Sequence, residues 1–249
     1  MTMNKVYACS DLHGMYRLWA QIRDYCDETD KIIFLGDAAD RGKDGLKIIQ
    51  ELLTDKRVTY LKGNHEDMFA ICVSEFSEGH FDNMSLWYIN GGKITYDAVM
   101  ELPYETQLYL ARKLDELPRS MWYESPLGHK VFLTHAGTDL RYTEEQLAMY
   151  CGRKDAYLWD RKHIGCGRPS DEKFKNVFQV HGHTPVLNDR FVFYGYNKDA
   201  KIETVFYDDH KYCIDMGAFA TCKAALIDLD TFETKYFYDE ISMEESIYK

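Results

Sequence analysis

The stretch GDAADRG, Gly36 to Gly42, directly follows the apolar run KIIFL. An apolar run of this length is typical of a buried strand, and the glycines suit the turn that ends it. A turn needs no charged side chains, yet this one carries Asp37, Asp40 and Arg41. The pattern therefore predicts a loop at the end of a strand that binds something charged.

The same order of strand, polar loop and helix extends outward from this loop. A strand pattern, KVYACS, precedes the helical pattern MYRLWAQIRDYC, and a second, RVTYLKG, precedes the helical pattern NHEDMFAICVSEF. The loop GDAADRG itself precedes the helical pattern GLKIIQELLTD. Such alternation predicts parallel strands with helices on the faces. Further strand patterns follow in KVFLTHAG, NVFQVHGHTP, FVFYGYN, KIETVFYDD, KYCIDMG, KAALIDLD and ETKYFYD. We therefore predict an α/β fold in which two mixed β-sheets pack as a β-sandwich flanked by helices.

Residues 79–127 interrupt this alternation of strands and helices. They contain NGG and the long helical pattern YETQLYLARKLDELP. We interpret them as a helical insertion or cap within one domain that spans residues 1–249, because a chain of this length can form a single large core.

Composition excludes several classes of protein. The chain is 45% hydrophobic and 29% charged, with a net charge of −11. Its basic residues form no stripe, which argues against a nucleic-acid partner. It has no apolar run of eighteen residues, so no membrane segment is expected, and its start shows no signal-peptide pattern. Seven cysteines without a CxxC pair are typical of reduced thiols, which predicts a cytoplasmic protein.

Five polar loops follow five of the strand patterns: SDLHG, GDAADRG, GNHE, THAG and HGHTP. Asp11 and His13 are two residues apart, so in an extended segment they project to the same side and can bind one cation together. Taken singly, an Asp or Asn before a helix is an ordinary cap, and a lone His is ordinarily structural. Taken together, the five clusters would meet at the carboxyl edge of the strands, where ligands collect in such sheets.

In this order the motifs resemble the calcineurin-like metallophosphoesterases. DRG and GNHE resemble, within that superfamily, the phosphoprotein phosphatase (PPP) family, in its bacterial and bacteriophage-lambda-type serine/threonine phosphatase branch. WYINGG and LWDRKHI also resemble segments of this branch. The motifs run from Asp11 to about Gly217, which is most of the chain.

The resemblance implies a dinuclear metal site at the carboxyl edge of the strands, with six ligands and one shared carboxylate. The ligands of the first ion would be Asp11, His13 and Asp37, and those of the second Asp37, Asn64, His135 and His183. The ions would be divalent, manganese in the first place and otherwise iron, zinc or nickel. In such sites the ions lie about 3.5–4 Å apart, and a hydroxide that bridges them is the nucleophile.

The resemblance also assigns four residues to the phosphate ester. His65 would be the general acid and Asp40 its orienting partner, while Arg41 and Arg161 would bind the phosphate. An alkoxide is a poor leaving group, so a protonated imidazole should donate to it, and the planar fork of arginine matches phosphate oxygens. His181 receives no role beyond packing or support of a ligand.

The function implied is that of a metal-dependent phosphomonoesterase, a serine/threonine protein phosphatase acting on a phosphorylated protein, peptide or small phosphate ester. The alternative is a dinucleoside-polyphosphate hydrolase, such as a diadenosine tetraphosphate hydrolase, although that branch typically reads GDLVARG and GNHD. A nuclease of the superfamily would end its last motif in GHxH, where this chain has GHTP. A scaffold without activity would lack some of the metal ligands that are present here. The oligomeric state stays open.

Overall fold

The computed structural model describes residues 4–152, 155–164, 166–186, 205–207 and 210–241. Within these ranges the chain forms ten strands and nine helices, together with a 3₁₀ turn. None of these helices combines the length and the apolar character that a membrane span requires. The strands are β1 (Val6–Cys9), β2 (Lys31–Phe34), β3 (Val58–Tyr60), β4 (Ser120–Glu124), β5 (Lys130–Thr134), β6 (Val177–His181), β7 (Val205–Tyr207), β8 (Lys211–Cys213), β9 (Lys223–Asp228) and β10 (Thr234–Tyr238). The helices are α1 (Tyr16–Tyr25), α2 (Gly45–Thr54), α3 (Asn64–Ser77), α4 (Met84–Ile89), α5 (Lys93–Met100), α6 (Tyr104–Asp115), α7 (Glu144–Cys151), α8 (Ala156–Trp159) and α9 (Ala218–Thr221), and the 3₁₀ turn is Glu172–Phe174.

The strands build two mixed sheets, as predicted, and each sheet has five strands among the described residues. The first sheet has the order β10–β9–β1–β2–β3, with β1, β2 and β3 parallel and β9 antiparallel to both of its neighbours. The second has the order β4–β5–β6–β8–β7, with β5, β6 and β8 parallel between antiparallel edges. The predicted strand FVFYGYN, residues 191–197, lies outside the described residues, and only residues 205–207 of KIETVFYDD lie within them.

The run KIIFL is apolar throughout because both of its faces are covered. Ile32 and Phe34 point into a core formed with the helices, whereas Ile33 and Leu35 point into a second core between the sheets. Successive side chains of a strand face opposite ways, so one short strand contributes to both cores. Leu133 of β5 meets this inter-sheet core from the second sheet.

The predicted helical insertion, residues 79–127, contains the helices α4, α5 and α6. Its end differs from the prediction, because it forms a strand. Trp87, Val99 and Leu114 lie in the same core as the helices of the first sheet, so the insertion is packed into the body of the protein. Its last part forms β4, which pairs antiparallel with β5. Met121 and Tyr123, two residues apart on one face of β4, pack against the inter-sheet core. The organisation of residues 1–249 as one domain stays a prediction.

Candidate active site

Loops from both sheets converge at one edge, where the carboxyl ends of the parallel strands lie. Backbone hydrogen bonds tie these loops together: the amide of Asp11 donates to the carbonyl of Gly36 (3.0 Å), and the amide of His13 to that of Asp37 (3.0 Å). Seven of the predicted site residues lie in these loops, and each is at most 4% exposed. They are Asp11, His13, Asp37, Asn64, His65, His135 and His183.

Asp37 lies at the centre of the cluster. Its Oδ2 is 3.6 Å from Nε2 of His13 and 3.7 Å from Nε2 of His65. Its Oδ1 is 3.3 Å from Nε2 of His135. Two groups of residues able to hold a cation therefore share this carboxylate: His13, Asp37 and His65 in one, and Asp37, His135 and His183 in the other.

The imidazoles are held by backbone carbonyls in the orientation that a metal ligand needs. Nδ1 of His13 donates to the carbonyl of Ala39 (2.9 Å), and Nδ1 of His135 to that of Leu35 (2.8 Å). Each ring thereby directs its Nε2 toward Asp37, where that nitrogen, once deprotonated, could ligate a cation. Ligating histidines commonly use their second nitrogen in this way, to fix the tautomer and the ring plane.

Asn64 and His183 complete the second group. Oδ1 of Asn64 lies 2.9 Å from Nε2 of His135 and 2.9 Å from Nδ1 of His183, and the two imidazole nitrogens are 3.2 Å apart. Oxygen and nitrogen donors that all converge on one point suit a divalent cation of the first transition row.

The electrostatics of the cluster also favour cations. Burial, and then the nearby Asp215 carboxylate, raise the pKa of Asp11 well above its ordinary value. Burial likewise raises the pKa of Asp215 to about 6. The pKa of Asp37 is held well below its usual range despite burial, because His135 and His65 stabilise its charge. Several carboxylates crowded into a buried edge are what a divalent ion neutralises, so these residues fit a metal centre.

Asp11 lies beside these two groups rather than within them. Both of its carboxylate oxygens accept the backbone N–H of His183 (3.2 and 3.1 Å), and the hydroxyl of Ser10 donates to Oδ2. The first group instead contains His65, for which the sequence predicted an acid role and no metal. The assignment of Asp11 to the first ion stays a prediction.

His65, a member of the first group, forms a buried pair with Asp40. Nδ1 of His65 donates to Oδ2 of Asp40 at 2.6 Å, and the same oxygen accepts the indole N–H of Trp87 at 2.8 Å. Burial alone would lower the pKa of His65, but the Asp37 and Asp40 carboxylates raise it above its ordinary value. A protonated imidazole is therefore favoured at this position.

Two arginines border the cluster. Nη1 of Arg41 donates to Nε2 of His13 (2.7 Å), and Nη2 of Arg41 is 3.3 Å from Nε2 of His65. Arg161 follows α8 and lies close enough to Asp215, Asp37 and Asp11 for their charges to interact with its own. Both predicted phosphate-binding arginines are thus placed beside the carboxylates and imidazoles.

The backbone is strained at the same positions. Eight described residues other than glycine have a positive φ, and all but Cys222 and Phe232 belong to the predicted site: Asp11, His13, Asp37, Asp40, Arg41 and His183. Each such residue costs about 1–3 kcal/mol and persists where its surroundings determine it fully. Gly42 permits the close contact of two of these loops, because a Cβ there would lie 2.4 Å from the carbonyl oxygen of His13.

Glu66 holds the loop around Asp37, a role that the sequence prediction missed. Its carboxylate accepts the backbone N–H groups of Asp37 (2.7 Å), Ala38 (2.9 Å) and Gly63 (2.8 Å), and the hydroxyl of Tyr60 (2.7 Å). A Glu at the third position of a helix is the known partner of an N-cap amide, so the sequence did contain a signal for this contact.

Asp215 and Trp87 were also missed. Asp215 follows β8, whose carboxyl end lies at the same edge because β8 runs parallel to β6. The rule that selected the other five loops would have found it. Trp87 lies in α4 and begins the segment WYINGG, whose resemblance to the phosphatase branch assigned no role to this residue.

His181 received no role, and its surroundings are those of a packed residue. It is fully buried, with its ring against Gly137, where a Cβ would lie 2.9 Å from Cε1. Burial, and then the charge of Lys211, lower its pKa to about 3. The ring is therefore neutral, and it belongs to neither of the two groups that could hold a cation.

Comparison with known proteins gives matches of sequence and of fold. A family model described as calcineurin-like phosphoesterase matches residues 4–213. The chain is 32% identical over 166 residues to serine/threonine-protein phosphatase 2 of Salmonella typhimurium, covering 64% of this chain and 69% of that protein. It is 26% identical over 219 residues to PrpE, the asymmetrical bis(5'-nucleosyl)-tetraphosphatase of Oceanobacillus iheyensis, covering 78% of this chain and 83% of that protein. The crystal structure of a metallophosphoesterase from Sphaerobacter thermophilus has a similar fold, with a TM-score of 0.53 at 15% identity over 98% of this chain and 93% of that one.

Proposed function

Because the chain belongs to the calcineurin-like phosphoesterase family, we propose that it is a phosphomonoesterase that acts on phosphoserine or phosphothreonine in proteins or peptides. Metal-dependent phosphate-ester hydrolysis is the activity of the family as a whole. The observation that carries the narrower proposal is the contact of His65 with Asp40 at 2.6 Å, beside two candidate cation groups that share Asp37. The 32% identity to a serine/threonine phosphatase supports the same proposal.

The residues would divide into two sets of metal ligands and one set for the ester. Asp11, His13 and Asp37 would hold one ion, and Asn64, His135 and His183 would hold the other together with Asp37. Manganese is proposed first, with iron, zinc and nickel as alternatives that suit the same donors. Two divalent ions, when bound, supply charge neutralisation for the phosphate and a nucleophile from water at neutral pH.

The chain's own groups would then bind the ester and supply a proton. Arg41 and Arg161 would neutralise and orient the phosphate oxygens in a fork-to-oxygen geometry. In the reaction, a water oxygen becomes bonded to phosphorus and the ester P–O bond breaks. The leaving serine or threonine oxygen would take a proton from Nε2 of His65, since Nδ1 is occupied by Asp40. General acids of this kind typically contribute about 10²–10⁴-fold.

The competing function is hydrolysis of a dinucleoside polyphosphate, which the 26% identity to a tetraphosphatase supports. A nucleotide phosphate is a better leaving group than an alkoxide and gains less from an acid. The buried Asp40–His65 pair therefore favours the phosphomonoesterase. The net charge of −11 adds no attraction for a polyanionic substrate.

A substrate and metal panel tests this proposal. Metal-stripped protein should regain activity with Mn²⁺, and the value of kcat/KM should be highest for a phosphoserine peptide. Diadenosine tetraphosphate and an aryl phosphate are assayed in parallel, each with Mn²⁺, Fe²⁺, Zn²⁺ and Ni²⁺. A higher kcat/KM for the dinucleotide than for the peptide, under every metal, would replace the proposal with its competitor.

A further inference from the structure

We propose that Trp87 is a positioning residue for ester cleavage, because its indole N–H fixes the carboxylate of Asp40 that in turn orients His65. The proposal rests on the function proposed above for Asp40 and His65. It gives the helical insertion a part in the chemistry in addition to its part in the core.

Among the described residues, the hydrogen bonds of the Asp40 carboxylate all fall on one of its two oxygens. Oδ2 accepts both Nδ1 of His65 (2.6 Å) and Nε1 of Trp87 (2.8 Å), whereas Oδ1 has no hydrogen-bond partner among the described residues. Two donors on a single oxygen fix the plane of the carboxylate. With the indole N–H removed, only His65 would hold it, and the carboxylate could rotate and carry the imidazole with it.

Trp87 is itself held rigidly, so it can impose this orientation. It is fully buried, and its ring packs edge-on against Phe69 of α3 (5.6 Å between centroids) and Tyr96 of α5 (6.2 Å). Gly92 closes the remaining side, because a Cβ there would lie 2.2 Å from Cδ1 of Trp87. A catalytic group is held accurately when its supporting residues are locked by packing of this kind.

The same segment also holds the backbone of the two charged residues in the DRG motif. The amide of Asp40 donates to Oγ1 of Thr95 (3.0 Å), and the amide of Arg41 donates to the carbonyl of Gly91 (3.0 Å). Asp40 and Arg41 have φ values of 69° and 66°, a conformation that needs support from neighbours. The contacts from α4, α5 and the turn between them supply that support, and Trp87 extends it to the side chain.

If Trp87 only stabilised the fold, its substitution would affect the kcat values of both substrates alike. The chain offers a matched control for that possibility. Trp19 is also fully buried, packs edge-on against an aromatic ring, Phe34, and donates its indole N–H to a carboxylate, Oε2 of Glu51, at 2.9 Å. Glu51 lies in α2 and outside the candidate site. Trp87→Phe and Trp19→Phe therefore remove the same kind of bond and the same volume, one beside the acid pair and one elsewhere.

The test compares two leaving groups on the full chain loaded with Mn²⁺. The kcat and KM values are measured for a phosphoserine peptide, which needs an acid, and for p-nitrophenyl phosphate, which needs little. We expect Trp87→Phe to lower kcat on the peptide about tenfold, the usual scale for a hydrogen bond to a charged group. The KM values and the kcat on p-nitrophenyl phosphate should stay near wild type, whereas Trp19→Phe should leave the ratio of the two kcat values unchanged.

His65→Asn and Asp40→Asn separate this proposal from the one on which it rests. If Asp40→Asn lowers the peptide-to-aryl kcat ratio and Trp87→Phe leaves that ratio at the wild-type value, Trp87 has no positioning role. If neither His65→Asn nor Asp40→Asn changes the ratio, the proposed acid pair itself is wrong. Should phenylalanine prevent folding, 3-benzothienylalanine at position 87 replaces the N–H by sulfur in a ring of nearly the same shape, and the same ratio decides.

Discussion

At the scale of single residues, the proposed activity depends on Asp37 reaching neighbours on both sides. Its two oxygens approach different imidazoles, Oδ2 that of His13 (3.6 Å) and Oδ1 that of His135 (3.3 Å). A single carboxylate in this position can hold two cations against their mutual repulsion. The left-handed backbone of Asp37 (φ 62°) is one cost of that placement, and the hydrogen bonds of Glu66 to the loop offset it.

Arg41 gives a prediction at the same scale. Arg41→Ala should raise the inhibition constant of inorganic phosphate about 10–100-fold, since it removes charge-assisted hydrogen bonds. Bound metal should stay at the wild-type level, because Arg41 contacts His13 without being a ligand. The measurements are phosphate inhibition and metal content after desalting, with Arg112→Ala on the exposed side of α6 as control.

Two outcomes would contradict this assignment of Arg41. One is an unchanged inhibition constant for phosphate. The other is loss of metal from the Arg41→Ala protein, which would make Arg41 part of the support of the metal ligands instead.

The positions of the candidate ligands could be predicted from the sequence more readily than the residues that support them. Asp11, Asp37, Asn64, His135 and His183 each follow a strand pattern, and a topological rule brings them together. Trp87 could not be found by this rule, because it lies in a helix and its partner Asp40 is 47 residues away. The WYINGG segment that it begins indicated the family without indicating this contact. Asp215 could have been found, since it too follows a strand at the same edge.

At the scale of secondary structure, the helices of the first sheet are joined by polar contacts as well as by their apolar faces. Glu51 of α2 accepts the hydroxyl of Tyr16 (2.7 Å), the indole N–H of Trp19 (2.9 Å) and Nη1 of Arg23 (2.7 Å), all from α1. Despite some desolvation, these bonds lower the pKa of Glu51 below its ordinary 4.5. The ionised form of Glu51 therefore stabilises the pairing of α1 with α2.

Glu51→Gln should lower the free energy of unfolding by about 1–2 kcal/mol at pH 7, the scale of hydrogen bonds to a charged group. Since the folded pKa of Glu51 is lowered, its contribution is complete above pH 4.5 and is lost as the pH falls through the folded value. The free energy of unfolding of wild type and variant is measured with urea in the same metal-free buffer. The difference between the two values should shrink below that pH. A difference that grows on acidification would contradict the network.

Strands with both faces covered were predicted well, whereas an edge strand was not. KIIFL and KVYACS are apolar enough to be identified alone. β4 was included in the helical insertion because it follows α6 closely. Its residues, SMWYE, are exposed or half-buried, so the segment lacks the apolar run that marks a buried strand. It nevertheless pairs with β5 across a short turn, with Trp122 opposite Phe132 for example.

At the scale of the whole molecule, an acidic chain must bind a phosphate dianion. The net charge of −11 repels such a substrate at long range, so binding has to come from cations gathered locally. In the proposed function, Arg41, Arg161 and the metal ions would provide them at the edge where the loops of the site converge.

The most direct test of this account is the number of divalent ions that the chain binds, measured together with activity. Metal-stripped wild-type protein, reloaded with Mn²⁺ and desalted, should hold two ions per chain and regain hydrolysis of the phosphopeptide. Asp37→Asn should hold fewer than two and remain inactive, because the shared carboxylate is lost. A wild-type protein that is fully active without any divalent transition metal, or an Asp37→Asn protein that keeps both ions and its activity, would contradict the account.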